Sequence, residues 1–349
     1  MLLSLLLLLP INQTEAAQQR QIKLPQTEKI IFPYDVAIDE AQRLYLVDFF
    51  QPHVFIWDEN NQFLTKWTGQ FGPGSGQLDQ PVLITAQDQE ILIVDKSSRV
   101  SVFDREGNFQ RAFLLSGYEG FKGLEKVGQN ILIAGVTFDV KAFHANVVLD
   151  LYDAQGNLQK RIFEHQDLGT LKLDKKPFKA HMQPFAADIT LTRDANGQVW
   201  FGYSAFPYIQ KITPEGTLGE KVNFDWKPEL LTPQDQKVMA QTAWMMSPTK
   251  SMQLEKQSQM AFEKDQAKGF FATFAWLGDR ILTLHHAHSD MLYTGMGTAN
   301  GALRLSSPEQ TGPYHYFNLE DKAQVFLKAG VLVIFNTDQN LLDQLVHTN

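Results

Sequence analysis

The amino-acid sequence predicts an all-β protein made of one four-stranded unit used repeatedly. Three observations carry this. Segments recur at a nearly constant spacing. Each recurrence holds four short runs rich in β-branched and aromatic residues, the types that favour strands. Gly, Pro, Asn and Asp separate the runs, as turns require. Thus Pro33 to Asp39 matches Pro81 to Gln87, Leu44 to Asp48 matches Ile91 to Asp95, and Val54 to Asp58 matches Val100 to Asp104, at offsets of 48, 47 and 46 residues. A turn and a fourth run close each unit, at Asn60 to Leu64 and at Glu106 to Gln110.

Further units follow with falling fidelity. Asn130 to Gly135 and Val148 to Asp153 belong to a third. Ala187 to Leu191, Gln198 to Gly202 and Tyr208 to Ile212 form a fourth. Phe270 to Trp276 and Arg280 to Leu284 open a fifth, with outer strands somewhere in Met291 to Phe317. Ala323 to Lys328, Val331 to Phe335 and Leu341 to Val346 give a sixth of three strands. A blade cannot bury both faces alone and must stack on its neighbours. The expected architecture is a six-bladed β-propeller of four-stranded antiparallel blades. The N-terminal segment 18–31 would supply the outer strand of the last blade and so remove an exposed sheet edge.

Between blades 4 and 5, residues 228–268 do not read as strand. Thr232-Pro233 reads as an N-cap followed by Pro at the first helical position. Helices are expected from Gln236 to Met246 and, after Ser247-Pro248, to about Ala267. This helical insert carries Trp244, Met245 and Met252, and is either a lid over the channel mouth or a segment packed on the blade surface.

Phe71-Gly72-Pro73-Gly74-Ser75-Gly76-Gln77-Leu78-Asp79-Gln80-Pro81 resembles the linker between consecutive NHL repeats. Leu44-Tyr45-Leu46-Val47-Asp48, followed by His53-Val54-Phe55-Ile56-Trp57-Asp58, is similar to the repeat itself. The resemblance covers residues 32 to 113 and implies a six-bladed NHL-type propeller of the TolB-like superfamily. Members of that family are binding scaffolds in most cases and enzymes in a few.

Composition sets outer limits. With 349 residues, 44% of them hydrophobic, the chain can bury a large single core. There are no cysteines, which excludes disulfides, thiolate metal sites, a Cys nucleophile and a lipidated Cys anchor. Lys and Arg number 31 against 39 Asp and Glu, and no basic block is present, so no nucleic-acid partner is expected. Leu2 to Leu9 is an apolar run interrupted by Ser4, too short for the ~20 residues a bilayer span needs. Thr14-Glu15-Ala16-Ala17 follows it. The pattern reads as a signal peptide over 1–17, although no Lys or Arg precedes the run; the alternative is a buried N-terminal strand or helix. Residues 18–349 then form a single domain, exported to the periplasm or secreted, with no membrane span left after cleavage.

With strands A to D alternating in direction, the B–C loops and the links from D to the next A share one end of the propeller. The A–B turns at the other end are short. Loops on a rigid scaffold are where binding sites concentrate. The candidate ligand-binding residues are therefore Phe50, His53, Arg99, Phe138, His144, Tyr203, His286 and His288, facing a small-molecule or protein partner. The alternative is a metal-dependent lyase or lactonase-type enzyme at the same channel mouth. His53, His144 and His288 fall in alternate blades, and three His with an open position is a catalytic zinc arrangement. This placement is similar to the amidating-lyase branch of the NHL propellers. His53 also reads simply as the polar residue that opens strand C, equivalent to Arg99. Calcium, implied by the likeness to lactonase-type propellers, would draw on candidates such as Asp139, Asn146 and Asp290. Asp48 and Asp95 end their B strands in register and read as turn caps.

Overall fold

The computed structural model describes residues 19–22, 25, 28–31, 33–67, 69–139, 144–166, 172–175, 178–181, 187–194, 196–224, 230, 232–233, 273–277, 280–284, 303–306, 324–328 and 331–335. Strand β1 (Gln19–Ile22) is followed by a sheet of β2 (Pro33–Ile38), β3 (Leu44–Asp48), β4 (Val54–Trp57) and β5 (Phe63–Trp67). The second sheet is β6 (Pro81–Gln87), β7 (Glu90–Asp95), β8 (Arg99–Asp104) and β9 (Phe109–Leu114). The third is β10 (Tyr118–Val127), β11 (Asn130–Asp139), β12 (His144–Tyr152) and β13 (Leu158–Gln166). A separate two-stranded hairpin, β14 (Lys172–Lys175) and β15 (Phe178–His181), lies in the next link. The fourth sheet is β16 (Ile189–Arg193), β17 (Val199–Tyr203), β18 (Tyr208–Ile212) and β19 (Leu218–Asn223). Two sheets have three described strands. One is β20 (Thr273–Leu277), β21 (Arg280–Leu284) and β22 (Leu303–Ser306). The other pairs β23 (Gln324–Lys328) with β24 (Val331–Phe335) and β24 with β1.

The four-stranded sheets are antiparallel meanders, strand beside sequence neighbour. The middle strands of the first blade are buried throughout: Leu44–Asp48 and Val54–Trp57 show only buried positions. The fourth strands are half-solvated, with Phe109–Leu114 alternating between half-buried and exposed. Continuous apolar runs are what a sheet covered on both faces demands.

The covering is mutual, because each hydrophobic cluster lies between two sheets. Tyr45, Val47 and Ile56 of the first sheet meet Ile84, Ile91 and Ile93 of the second. Leu92, Val94 and Val102 then meet Leu124, Ile131 and Ile133 of the third. Leu132, Val147 and Leu149 meet Leu191, Phe201 and Tyr203 of the fourth. Trp200 and Ile209 meet Phe274 and Ile281 of the next sheet. The first strands touch in order, β2 to β6, β6 to β10, β10 to β16, β16 to β20, β20 to β23, and β23 touches β2. Four-stranded antiparallel sheets stacked face to face in this way are the blades of an all-β propeller. Four blades are complete among the described residues, where six were expected.

The N-terminal strand joins the last sheet, at its edge among the described residues, and pairs directly with the second strand of that sheet. β1 runs parallel to β24, with Arg20 opposite Val333 and Ile22 opposite Phe335. The reason is the grip of its side chains on the first blade. Arg20 and Ile22 share a face, as residues two apart in a strand must. Ile22 is buried with Val36, Leu46 and Trp57. Arg20 donates to the carbonyls of Gln42 (2.7 Å) and Asp58 (2.5 Å) and to Asn61 Oδ1 (2.7 Å).

The expected insert over about 228–268 lies almost wholly outside the described residues, and no helical element is described there. Among the described residues no helix is long and apolar enough to cross a membrane.

Candidate functional site

At the end carrying the B–C loops, the loops are fixed from beneath by two buried carboxylates. Asp48 Oδ1 accepts from Phe50 N–H (2.9 Å) and Asp48 Oδ2 from Ile31 N–H (2.5 Å). Asp95 Oδ1 accepts from Ser97 N–H (3.0 Å), and Asp95 Oδ2 is paired with Arg99 (2.9 Å). Both act as the turn caps their register predicts.

What the loops present depends on a recurring irregularity in the first strand of each of the first three blades. The ladder shifts register between Pro33 and Asp35, between Pro81 and Leu83, and between Phe121 and Gly123. These shifts each leave one extra residue outside the pairing, Tyr34, Val82 and Lys122, and a second shift in β10, between Tyr118 and Gly120, leaves out the exposed Glu119. A bulge of this kind bends the strand and re-aims a side chain. It recurs where the first strands leave the links, around the mouth of the channel.

An aromatic rim is built on these positions. Tyr34 stacks on Phe49 with ring centroids 5.3 Å apart, and Phe50 meets Phe49 edge-on at 5.1 Å. Phe50 is half exposed. Tyr118 and Phe121 stack at 5.1 Å, and the Tyr118 hydroxyl donates to Asp150 (2.7 Å). Tyr34, Phe49, Tyr118 and Phe121 all rest on the core between the second and third blades.

Two ammonium groups reach this rim. Lys96 Nζ lies 6.0 Å from the centroid of the Phe49 ring, at the outer limit of a cation–π contact. Lys122 Nζ pairs with Asp188 Oδ2 at 2.7 Å, and both side chains are about a third exposed. Asp188 is positioned by Ser204, whose hydroxyl accepts from its N–H at 2.8 Å and whose N–H donates to its carbonyl at 2.9 Å. Burial pushes the Tyr34 hydroxyl above the usual tyrosine range, the nearby Lys122 charge pulls it back, and Asp35 adds to the rise. The rim can therefore offer flat apolar faces beside positive charge.

The sequence-derived candidates divide among several places. Phe50 lies on the rim. His53 and Arg99 instead hold the link between the first two blades. His53 Nδ1 accepts from Gly69 N–H (3.3 Å), while buried Arg99 donates to the carbonyls of Gly72 (2.9 Å), Gly74 (3.2 Å) and Gln77 (2.5 Å). Burial, then Lys66, lowers the His53 imidazole below its ordinary value. The reading of His53 as the equivalent of Arg99 describes both.

Phe138 and His144 are half-buried at the far ends of β11 and β12, where His144 faces Asp139 across the ladder. Tyr203 is buried in a separate aromatic group with Phe163, His165 and Phe206 at 5.7, 5.2 and 5.7 Å. His286 and His288 lie outside the described residues. The proposed zinc set of His53, His144 and His288 is thus only partly described. Among the described residues, no three His, Asp or Glu side chains gather as a metal site.

Reasoning from sequence passed over Tyr34, Lys122 and Asp188. The bulges that expose Tyr34 and Lys122 depend on pairing with the next strand. The usable signal was the pair Pro33 and Pro81, one residue before the extra position in two aligned blades.

No family model matches the chain, and no curated protein matches it. Solved structures similar to it include a streptogramin B lyase, at 10% identity over 80% of this chain and 70% of that one, with a TM-score of 0.36. The WD40 domain of Neurospora crassa Pan2 is 10% identical over 90% of this chain and 83% of that one, with a TM-score of 0.43. A glutaminyl cyclase from Myxococcus xanthus is 12% identical over 72% and 84%, with a TM-score of 0.34. Likeness at this level says nothing about activity, and the propeller assignment stands on the sheets and their packing.

Proposed function

We propose that this chain is an exported, six-bladed propeller of the NHL type that serves as a binding scaffold, with its site at the channel mouth on the B–C loop end. The rim of Tyr34, Phe49 and Phe50 with Lys96 and Lys122 carries this reading. Apolar surface with a few convergent polar groups is the usual composition of a ligand site. Six blades are supported by the six first strands that touch in order, β23 returning to β2. The NHL type is supported by the linker 71–81, whose carbonyls Arg99 clasps. Export is supported by the apolar run before Ala17, and N-terminal sequencing of the exported protein reads the cleavage directly.

The test of the site is a thermal-shift screen of small neutral, cationic and anionic aromatics and short peptides. It is run on the wild type and on Phe50→Ala. Phe50 is half exposed, so its truncation should change stability by less than about 0.5 kcal/mol. A compound that raises the wild-type midpoint and loses that effect in Phe50→Ala supports the site. If every stabilising compound acts equally on both proteins, the binding site lies elsewhere.

A further inference from the structure

Resting on that reading of the mouth, we infer that its ligand is a small planar aromatic carboxylate. Bulged positions of the first and third blades bring an aromatic ring and a cation to this end, Tyr34 and Lys122, while the bulged Val82 between them is buried in the core. The Tyr34–Phe49 stack and the Phe50 edge supply flat faces, which favour a flat apolar ligand over an aliphatic one.

Charge at the same place selects an anion. Lys96 lies over the Phe49 ring, and Lys122 is near enough to act on the Tyr34 hydroxyl. Three of the acids near the rim are turned inward. Asp35 is 6% exposed and accepts from Ile84 N–H at 3.0 Å; Asp48 and Asp95 are fully buried under the loops. Asp188 reaches solvent beside the rim and faces Lys122, and Glu119 and Asp79 are exposed at the same end. A partly exposed pair of this kind is worth little. An incoming carboxylate can take the ammonium from Asp188 at small cost. A cationic ligand would have to sit between two lysines.

The choice of one carboxylate over a phosphate follows from the donors. Both cations are lysines, which act as point charges. Arg99, the nearby guanidinium whose fork would suit a phosphate, is spent on the linker carbonyls.

The experiment is isothermal titration of the full chain with benzoate, with benzamide as its neutral isostere and cyclohexanecarboxylate as its non-aromatic counterpart. Benzoate should bind. Benzamide should bind about tenfold more weakly, the effect of one charge-assisted hydrogen bond. Cyclohexanecarboxylate should bind roughly threefold more weakly, for loss of ring stacking. Lys96→Ala/Lys122→Ala should weaken benzoate by about tenfold or more while leaving benzamide unchanged. A thermal melt confirms that this variant is folded, and Lys122→Arg should retain binding.

The inference is overturned if benzamide binds as tightly as benzoate, if the double variant binds benzoate normally, or if the wild type shows no heat of binding. Should the thermal-shift screen find a compound sensitive to Phe50→Ala while benzoate fails, the carboxylate assignment falls and the rim remains a site. Should no compound be sensitive to Phe50→Ala, both fall together.

Discussion

The two ends of the propeller differ in how deeply their most buried inter-blade charge pair lies. At the end of the A–B turns, acids meet bases across blade boundaries. Glu40 of the first blade pairs with Arg105 of the second and accepts from Asp88 N–H at 2.9 Å. Lys126 of the third reaches back to Glu90 (2.9 Å) and Asp88 (3.4 Å) of the second. Glu125 of the third accepts from Thr85 of the second (3.1 Å) and from Arg193 of the fourth (2.8 Å), and all three are buried. At the B–C end, the Lys122–Asp188 pair is partly solvated, and Lys96 lies over an aromatic face. The turn end holds a buried pair between blades, Glu125–Arg193, whereas the pair between blades at the loop end, Lys122–Asp188, is about a third exposed.

Breaking one pair at each end should expose this difference most strongly. Arg193→Met leaves the buried Glu125 carboxylate without its guanidinium, and breaking a buried pair costs about 3–5 kcal/mol. Lys122→Met should change stability by less than about 1 kcal/mol, because a partly exposed pair contributes little. Urea denaturation of the two variants measures both. Equal losses would erase the distinction between the ends.

A smaller effect is expected from the backbone of the turn end. The C–D turns repeat one device: Asp104 Oδ1 accepts from Glu106 and Asn108 N–H, and Asp153 Oδ1 from Gln155 and Asn157 N–H. Each turn closes with a glycine in the left-handed region, Gly107 at φ 87° and Gly156 at φ 85°. At Gly156 a Cβ would also fall 2.2 Å from the Phe113 ring of the neighbouring blade. Gly156→Ala should cost about 2 kcal/mol, the left-handed penalty plus displacement of that ring. A melt shows it as a lower midpoint. An unchanged midpoint would mean that the turn does not join the blades.

The smallest effect is a pH dependence at the loop end. Burial lowers the His53 pKa in the fold, so the unfolded chain binds the proton more readily. Stability from this group is complete above the unfolded value near 6.5 and falls as the pH drops through and below it. Lys66 contributes to the same direction. His53→Asn, which keeps an acceptor for Gly69 N–H but does not titrate, should lose less stability than the wild type between pH 7.5 and 5.5. Denaturation midpoints at the two pH values compare them. Parallel losses would show that His53 does not titrate on unfolding.

Much of the turn end was legible in the sequence, and less of the loop end. Turn chemistry is local: Asp104 to Asn108 and Asp153 to Asn157 spell out their own hydrogen bonds, and the repeat spacing placed β2 to β4 and β6 to β8 within a residue or two, while β5 and β9 run three to four residues past the expected ends. Repeated apolar runs likewise identified β11, β17 and β21. The rim needed knowledge of pairing. Tyr34 and Lys122 differ from their neighbours by a register shift, which exists only between two strands. His53 and Arg99 drew attention as polar residues in functional-looking loops, yet their partners, Gly69, Gly72, Gly74 and Gln77, are backbone groups of a glycine-rich link with no side-chain signature of their own. β14 and β15 lay hidden in what reads as a basic connector, because a four-residue hairpin leaves too short a pattern to stand out.

The bulges carry a consequence for how this protein can change. A residue within the ladder is tied to a cross-strand partner, so altering it strains a second position. Tyr34, Val82 and Lys122 stand outside that pairing. Lys122, which is exposed, can be exchanged without asking its neighbour strand to compensate, whereas Val82 lies in the core between the second and third blades and Tyr34 packs against it. Replacing Lys122 alone would change the charge carried at the loop end while the blades beneath stay as they are.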